Sequence, residues 1–257
     1  DGVVLKWLDF AFPIEDDEAI VRAFSEAMTA RTRVVHITHM INWNGQILPV
    51  RRIAAEAHAR GIEVLVDAAH TFAHLDYRIP DLDCDYFGTS LHKWLCAPFG
   101  SGMLYVRKDK IKQLYPHMAA PDPEADDIRK FEHLGTRSFA IEQAIGQAAD
   151  FHEMIGSERK QARLHYLKRY WTDAVKDLPG VTIGTSLRPE YGCAIALLQV
   201  EGKKPQDVGQ YLFREHKIHT TSINWENIHG VRITPNVYTV RSDLDRLVEA
   251  VEAYIRL

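Results

Sequence analysis

Strand-like and helix-like patterns alternate from residue 2 to residue 68, and that alternation restricts the fold more than any other feature of the chain. GVVLKWLDF reads as a strand. EDDEAIVRAFSEAMTA then puts Ile20, Ala23, Phe24, Ala27 and Met28 on one helical face, with acids at its start where the helix dipole favours them. RVVHITHM is a buried-strand pattern. Pro49 opens a second helix that turns Val50, Ile53, Ala54 and Ala57 inward and closes at Gly61. EVLVDA is a short apolar strand, and CDYFGTS and SGMLYVRK are two more. Strands joined through helices imply right-handed crossovers and a largely parallel sheet. Their Val, Ile and Leu runs predict strands covered on both faces.

The pattern changes at residues 117–135, where a Pro- and acid-rich stretch lacks periodicity and reads as a loop or linker. Beyond it, Leu164, Leu167, Tyr170, Trp171, Ala174, Val175 and Leu178 form the apolar stripe of a long helix, ended by Gly180. Short strands VTIGT, CAIALLQV, IHTTSI and GVRITPN follow, with a helix near 204–216. A last helix starts at about Ser242, with Ser242 and Asp245 as a capping box and Leu244, Leu247, Val248, Val251 and Ile255 inward. This is a second α/β region, smaller and antiparallel.

Net charge is −4 with scattered basic residues, which argues against nucleic acid as a partner. No apolar run approaches a membrane span. Cys84, Cys96 and Cys193 are too few and too spread for a disulfide framework or a zinc site, so a reducing cytoplasmic setting is the default. The first residue is not Met, so the start reads as processed or cut.

In open α/β sheets, ligands bind beyond the carboxyl ends of parallel strands. Asn42 follows RVVHITHM, Asp67 follows EVLV, and Ser90, His92 and Lys93 follow DYFG. One edge therefore gathers an amide, a carboxylate, a hydroxyl, an imidazole and an amine. Lysine forms Schiff bases, and desolvation lowers its pKa toward a nucleophilic range. A buried carboxylate needs a cation such as a protonated ring nitrogen. Together Lys93 and Asp67 describe a pyridoxal 5'-phosphate site.

THMINWNG, EVLVDAAH, GTSLHKW with PFGSGMLYV after it, EHLGT and GVRITPNVYT occur in that order from about residue 36 to 240. On these segments the chain resembles the class V aminotransferases of the fold-type-I pyridoxal phosphate enzymes, and its isopenicillin-N-epimerase-like members most of all. The resemblance implies a pyridoxal phosphate-dependent transferase fold. Its cofactor-binding large domain, with a mostly parallel sheet, would span 1–135 and be incomplete at its N-terminus. A smaller C-terminal α/β domain with connecting helices would span 136–257. It implies Lys93 as the Schiff-base lysine and the base that moves the Cα proton, and Asp67 as the partner of the ring nitrogen. Asn42 and His70 resemble contacts to the ring and its phenolic oxygen, and Ser90 and His92 resemble phosphate ligands. Thr136 matches a threonine that reaches the neighbouring subunit's cofactor, which implies a homodimer. Arg232 matches the arginine that binds the substrate carboxylate.

Each residue also has a plainer reading. Lys93 fits a surface lysine, Asp67 a helix cap, His92 a packed loop residue and Arg232 a strand-edge arginine. Ser90 and Thr136 are ordinary hydroxyls before turns. His70 and His74, four apart, fit two metal ligands of a hydrolase. PFGSG leads into a strand, so it reads as a turn and not as a phosphate loop.

The chain departs from the family in two respects. HTTSINWENIHGVR lacks the cysteine that desulfurases carry before the carboxylate-binding arginine, and Cys96 reads as packing. Family members also carry an N-terminal portion with a phosphate-binding loop and a stacking aromatic ring, neither of which is found here. The expected function is chemistry at Cα of an amino acid, by transamination, epimerisation or elimination. A non-catalytic or inactive fragment that keeps the fold as a binding or assembly module is the alternative.

Overall fold

The computed structural model describes residues 2–257. α1 (Asp17–Ala27) begins on a side-chain cap, because the Asp16 carboxylate accepts the Ala19 N–H at 3.0 Å. β1 (Val34–Thr38), α2 (Val50–His58), β2 (Glu63–Asp67), β3 (Tyr86–Ser90) and β4 (Gly102–Val106) follow. They form one sheet in the order β1-β2-β3-β4, parallel through β3 and antiparallel at β4. Ile20, Val50, Ile53, Ala54 and Ala57 from the helices meet Val35, Ile37, Val64, Val66 and Phe87 from the strands in one buried core. Truncating a fully buried member such as Ile53 to alanine costs about 2–5 kcal/mol in such a core.

Two expectations fail here. Residues 3–10 form no strand. Val3, Val4, Leu5 and Trp7 are exposed, and no strand among the described residues lies alongside to complete their hydrogen bonds. The end of this stretch and the residues after it reach across the molecule instead: Asn227 donates to the Phe10 carbonyl at 2.8 Å, and the Ser186 hydroxyl donates to Glu15. The sheet is also not covered evenly. Helices α1 and α2 lie on one face. On the other, Leu65, Tyr86 and Val106 meet Ile111, Leu114, Ile128 and Phe131, while Val34 and His36 on β1 stay exposed.

Apart from a turn of 3₁₀ helix at Ile128–Glu132, residues 117–135 are irregular, as expected. α3 (Phe139–Ile155) and α4 (Ser157–Val175) lead to β5 (Val181–Ile183), β6 (Ala196–Val200), α5 (Pro205–His216), β7 (Thr221–Trp225), β8 (Ile228–Ile233) and α6 (Arg241–Tyr254). The second sheet is antiparallel throughout, in the order β5-β6-β8-β7. Leu167, Trp171 and Val175 of α4 pack with Leu212 of α5 and Leu244, Leu247 and Val251 of α6 against Leu198 and Val231. The start of α6 differs from expectation. The Val240 N–H donates to Asp243 at 3.1 Å, so Ser242 lies inside the first turn, and Asp245 accepts from the Tyr170 hydroxyl. No helix among the described residues is long and apolar enough to cross a membrane.

Candidate active site at the sheet rim

Register sets the rim. Thr38 pairs with Asp67 and Asp67 with Gly88, so β1 and β2 end level at their carboxyl ends and β3 runs on to Ser90 beside them. The chain turns sharply after β2. The Ala69 N–H donates to Asp67 Oδ1 at 2.9 Å, and the Thr71 and Phe72 N–H groups donate to the Ala68 carbonyl at 3.0 Å. That turn holds the half-buried Asp67 at the rim and delivers His70 one turn later. After β3, Leu91, Trp94, Leu95 and Ala97 are buried and pin the next loop, while Lys93 between them is half-buried. Cys96 closes this loop in the left-handed region, at φ 65°.

Arg232 arrives from the other sheet. Its Nη1 donates to the Asn42 carbonyl at 2.8 Å and its Nη2 to the Thr221 hydroxyl at 3.3 Å. Its Nε is buried and has no partner among the described residues. The Asn42 loop is held against the second sheet by a close approach. At Gly45 φ is +75°, and a Cβ there would lie 2.3 Å from the Ile195 carbonyl oxygen, so only glycine fits. The Thr185 hydroxyl donates to the Asn44 carbonyl beside it.

Electrostatics tie the cluster together. Burial pulls the Lys93 amine below its ordinary pKa; nearby Asp67 pushes it back up, and Arg232 lowers it further. Burial, then Lys93 and Arg232, push the His70 imidazole down to about 3, so it is neutral. Burial also draws Arg232 below its usual range. Four of the expected residues, Asp67, His70, Lys93 and Arg232, thus share one neighbourhood, with Asn42 touching Arg232. An amine, a carboxylate, a neutral imidazole and a guanidinium with an unpaired N–H form a donor set that fits a charged heterocycle and a carboxylate.

The other expected residues make no side-chain hydrogen bond to these four among the described residues. Ser90 is half-buried at the end of β3, opposite Gly102. His92 faces the Ser101 carbonyl at 3.4 Å and lies 5.6 Å from the Phe99 ring. Thr136 is exposed between the linker and α3. The metal-pair reading of His70 and His74 fails on geometry. His74 Nδ1 is bonded to the His70 carbonyl at 2.7 Å, and its Nε2 accepts the Ala194 N–H at 3.1 Å, so neither nitrogen is free.

Sequence reasoning missed Trp94, whose indole donates to His70 Nδ1 at 3.2 Å. The signal was available in HKW, because a buried tryptophan N–H requires an acceptor. It also missed Lys160, buried behind that loop with its amine on the Trp94 carbonyl. Within SERKQ, Lys160 reads as a solvated charge, and no local pattern marks it otherwise.

A family model described as aminotransferase class-V matches residues 6–247. The isopenicillin N epimerase of Streptomyces clavuligerus is 30% identical over 255 residues, which cover 93% of this chain and 64% of that protein. A probable cysteine desulfurase of Halalkalibacterium halodurans is 27% identical over 270 residues, 98% of this chain and 64% of that one. Among solved structures, the apo cysteine desulfurase from Thermococcus onnurineus NA1 superposes with a TM-score of 0.82 at 21% identity, covering 95% of this chain and 65% of that one. A C-DES variant with glycine covalently linked to its pyridoxal phosphate cofactor gives a TM-score of 0.79 at 21% identity, covering 89% of this chain and 62% of that one. The chain spans 64% of the length of the two isopenicillin N epimerases and of the Halalkalibacterium halodurans protein that it matches.

Proposed function

The chain belongs to the aminotransferase class-V family, and on that premise we propose that it carries the Schiff-base lysine and substrate-carboxylate arginine of an enzyme acting at Cα of an amino acid. Pyridoxal phosphate is the cofactor; when bound it supplies an aldehyde that condenses with amines and a ring that draws electrons from Cα. The observation that carries this reading is the shared rim of Lys93, Asp67, His70 and Arg232, on which the Arg232 Nε lacks a partner among the described residues.

Each side chain has a distinct task. Burial keeps more of the Lys93 amine unprotonated than in water, so Nζ can attack a carbonyl carbon and later accept the Cα proton. Asp67, fixed by the Ala69 N–H, supplies the negative charge for a protonated ring nitrogen. Asn42, whose carbonyl steadies Arg232, and His70, a neutral imidazole, are proposed as contacts to the ring and its phenolic oxygen. Arg232 is steadied by the Asn42 carbonyl and the Thr221 hydroxyl, and so presents its remaining N–H groups to a carboxylate without a large ordering cost. Ser90 and His92, on the turn beside Lys93, are proposed for the phosphate.

Transamination, epimerisation and elimination all begin with loss of a substituent at Cα and so share these residues. Thr136 is proposed to act across a homodimer. Supporting this, it is exposed between Leu134 and Phe139, which are 57% and 66% exposed and offer apolar surface for a second copy. The division into units 1–135 and 136–257 is also proposed, supported by the separate cores of the two sheets. Cytoplasm is the proposed compartment, since Cys84, Cys96 and Cys193 are all free thiols.

The test is trapping. Incubation with pyridoxal phosphate, borohydride reduction and peptide mapping should place a reduced adduct on Lys93. An unmodified Lys93 peptide at saturating cofactor overturns the enzymatic reading and favours a non-catalytic binding module.

A further inference from the structure

We propose that Trp94 is a positioning residue that locks His70 as a neutral imidazole with its proton on Nε2. The indole Nε1–H can only donate. It meets His70 Nδ1 at 3.2 Å, so that nitrogen must present its lone pair. A ring that accepts at Nδ1 and is neutral carries its hydrogen on Nε2. His70 Nε2 has no partner among the described residues, and it belongs to the ring that feels Lys93 and Arg232.

The lock is held from two sides. The His74 ring lies on the Trp94 indole, 3.7 Å between centroids and 28° between planes, so the indole cannot swing away. His74 is itself fixed in the opposite tautomer. It accepts the Ala194 N–H at Nε2, so its proton is on Nδ1 and is donated to the His70 carbonyl at 2.7 Å. Behind the loop, the fully buried Lys160 of α4 donates to the Trp94 carbonyl, with His152 Nδ1 at 3.5 Å from the same amine. A helix of the second region therefore fixes the backbone that aims the indole.

The charged groups around His70 reinforce the choice. Lys93 comes from the loop after β3 and Arg232 from β8; both are cationic, and both oppose an imidazolium. His74, one turn along, is likewise held neutral, with a pKa pushed down to about 3 by burial. His70 therefore offers a donor of fixed sign to the rim at all moderate pH values. It selects an acceptor oxygen, and on the function proposed above that oxygen is the phenolic one of the cofactor. Only the identity of the acceptor rests on that reading; the lock does not.

The experiment is nitrogen NMR on the whole protein labelled with ¹⁵N-histidine and free of cofactor, with His70 assigned through His70→Gln. The expected spectrum shows a lone-pair nitrogen at Nδ1 and a protonated Nε2, unchanged from about pH 8 to about pH 5. Trp94→Phe keeps a ring on His74 and removes the N–H. In that variant His70 should become a tautomer mixture, while burial, Lys93 and Arg232 still keep it neutral. A proton on Nδ1 in the unaltered protein, or an unchanged His70 in Trp94→Phe, overturns the proposal. Should Trp94→Phe fail to fold, the unaltered protein's spectrum still decides. Borohydride trapping separates the two readings: no adduct on Lys93 with the expected spectrum sinks the enzyme and leaves the lock standing, and the converse result does the reverse.

Discussion

Helix α4 and the sheet rim both take cations out of water, and they treat them in opposite ways. On α4, Lys160 and Lys168 are 0% and 1% exposed, and each amine ends on backbone carbonyls. Lys168 donates to Ser186 at 2.9 Å and to Gly192 at 3.1 Å, and Lys160 to Trp94. At the rim, Lys93 and Arg232 are only half-buried, yet Lys93 has no side-chain hydrogen bond among the described residues and the Arg232 Nε is unpaired. Depth of burial therefore does not mark the reactive cation. The α4 lysines are engaged by backbone acceptors and tie loop 186–192 and the Trp94 loop to the helix, as structural polar groups do. The rim cations keep unused donors, and an unused donor is what a ligand can answer.

The sharpest break of this contrast is a truncation on each side. Lys93→Ala should abolish the borohydride-trapped adduct and leave the unfolding free energy within about 1 kcal/mol, because a half-exposed side chain with no partner supports little. Lys168→Ala should do the reverse. It leaves the Ser186 and Gly192 carbonyls unpaired around a cavity and costs about 2–4 kcal/mol in urea unfolding, with trapping at Lys93 retained. A Lys93→Ala protein that unfolds much more easily, or a Lys168→Ala protein that no longer traps, would erase the distinction.

Next in size is the guanidinium. Arg232→Lys keeps the charge and loses the planar fork that the Asn42 carbonyl and Thr221 hydroxyl now steady. Affinity of the cofactor-loaded protein for amino-acid carboxylates, read by spectral titration, should fall roughly tenfold, while cofactor trapping persists. Equal affinity would mean that Arg232 is a strand-edge cation like any other.

How far the sequence reveals this contrast depends on which interactions are local. The helices on Ile20, Ile53 and Leu167 and the strands at Val35, Val64 and Phe87 follow from periodicity, since one buried face imposes it. Asp67 and Lys93 are legible because strand ends in such a sheet face one way. The supposed strand at 3–10 fails because apolar composition cannot supply a neighbour. The capping box at Ser242 fails because Asp243, inside the first turn, takes the Val240 N–H and no side chain caps in return. Lys160, Lys168 and the Trp94–His70 bond are invisible for another reason. Their partners are carbonyls and rings 18 to 66 residues away, and no short pattern records which lysine of a charged helix turns inward.

The buried side can also be tested through pH. Burial lowers the Lys168 pKa from 10.5 to about 8. Below about 8 both folded and unfolded chains carry the proton, and the full cost of holding a buried ammonium is present. Between about 8 and 10.5 the unfolded chain binds more protons than the folded one, so stability rises with pH across that window. Lys168→Met removes the titration and most of the cavity. The stability of the unaltered protein relative to Lys168→Met should therefore stay constant between about pH 6 and pH 7, then improve from about pH 8 to pH 10. A difference that stays flat through the alkaline window would mean that the two carbonyl dipoles hold the ammonium charged to high pH. Those carbonyls would then preserve the charge as well as the fold, and Lys93, which lacks them, would differ from Lys168 in having surroundings that release its lone pair.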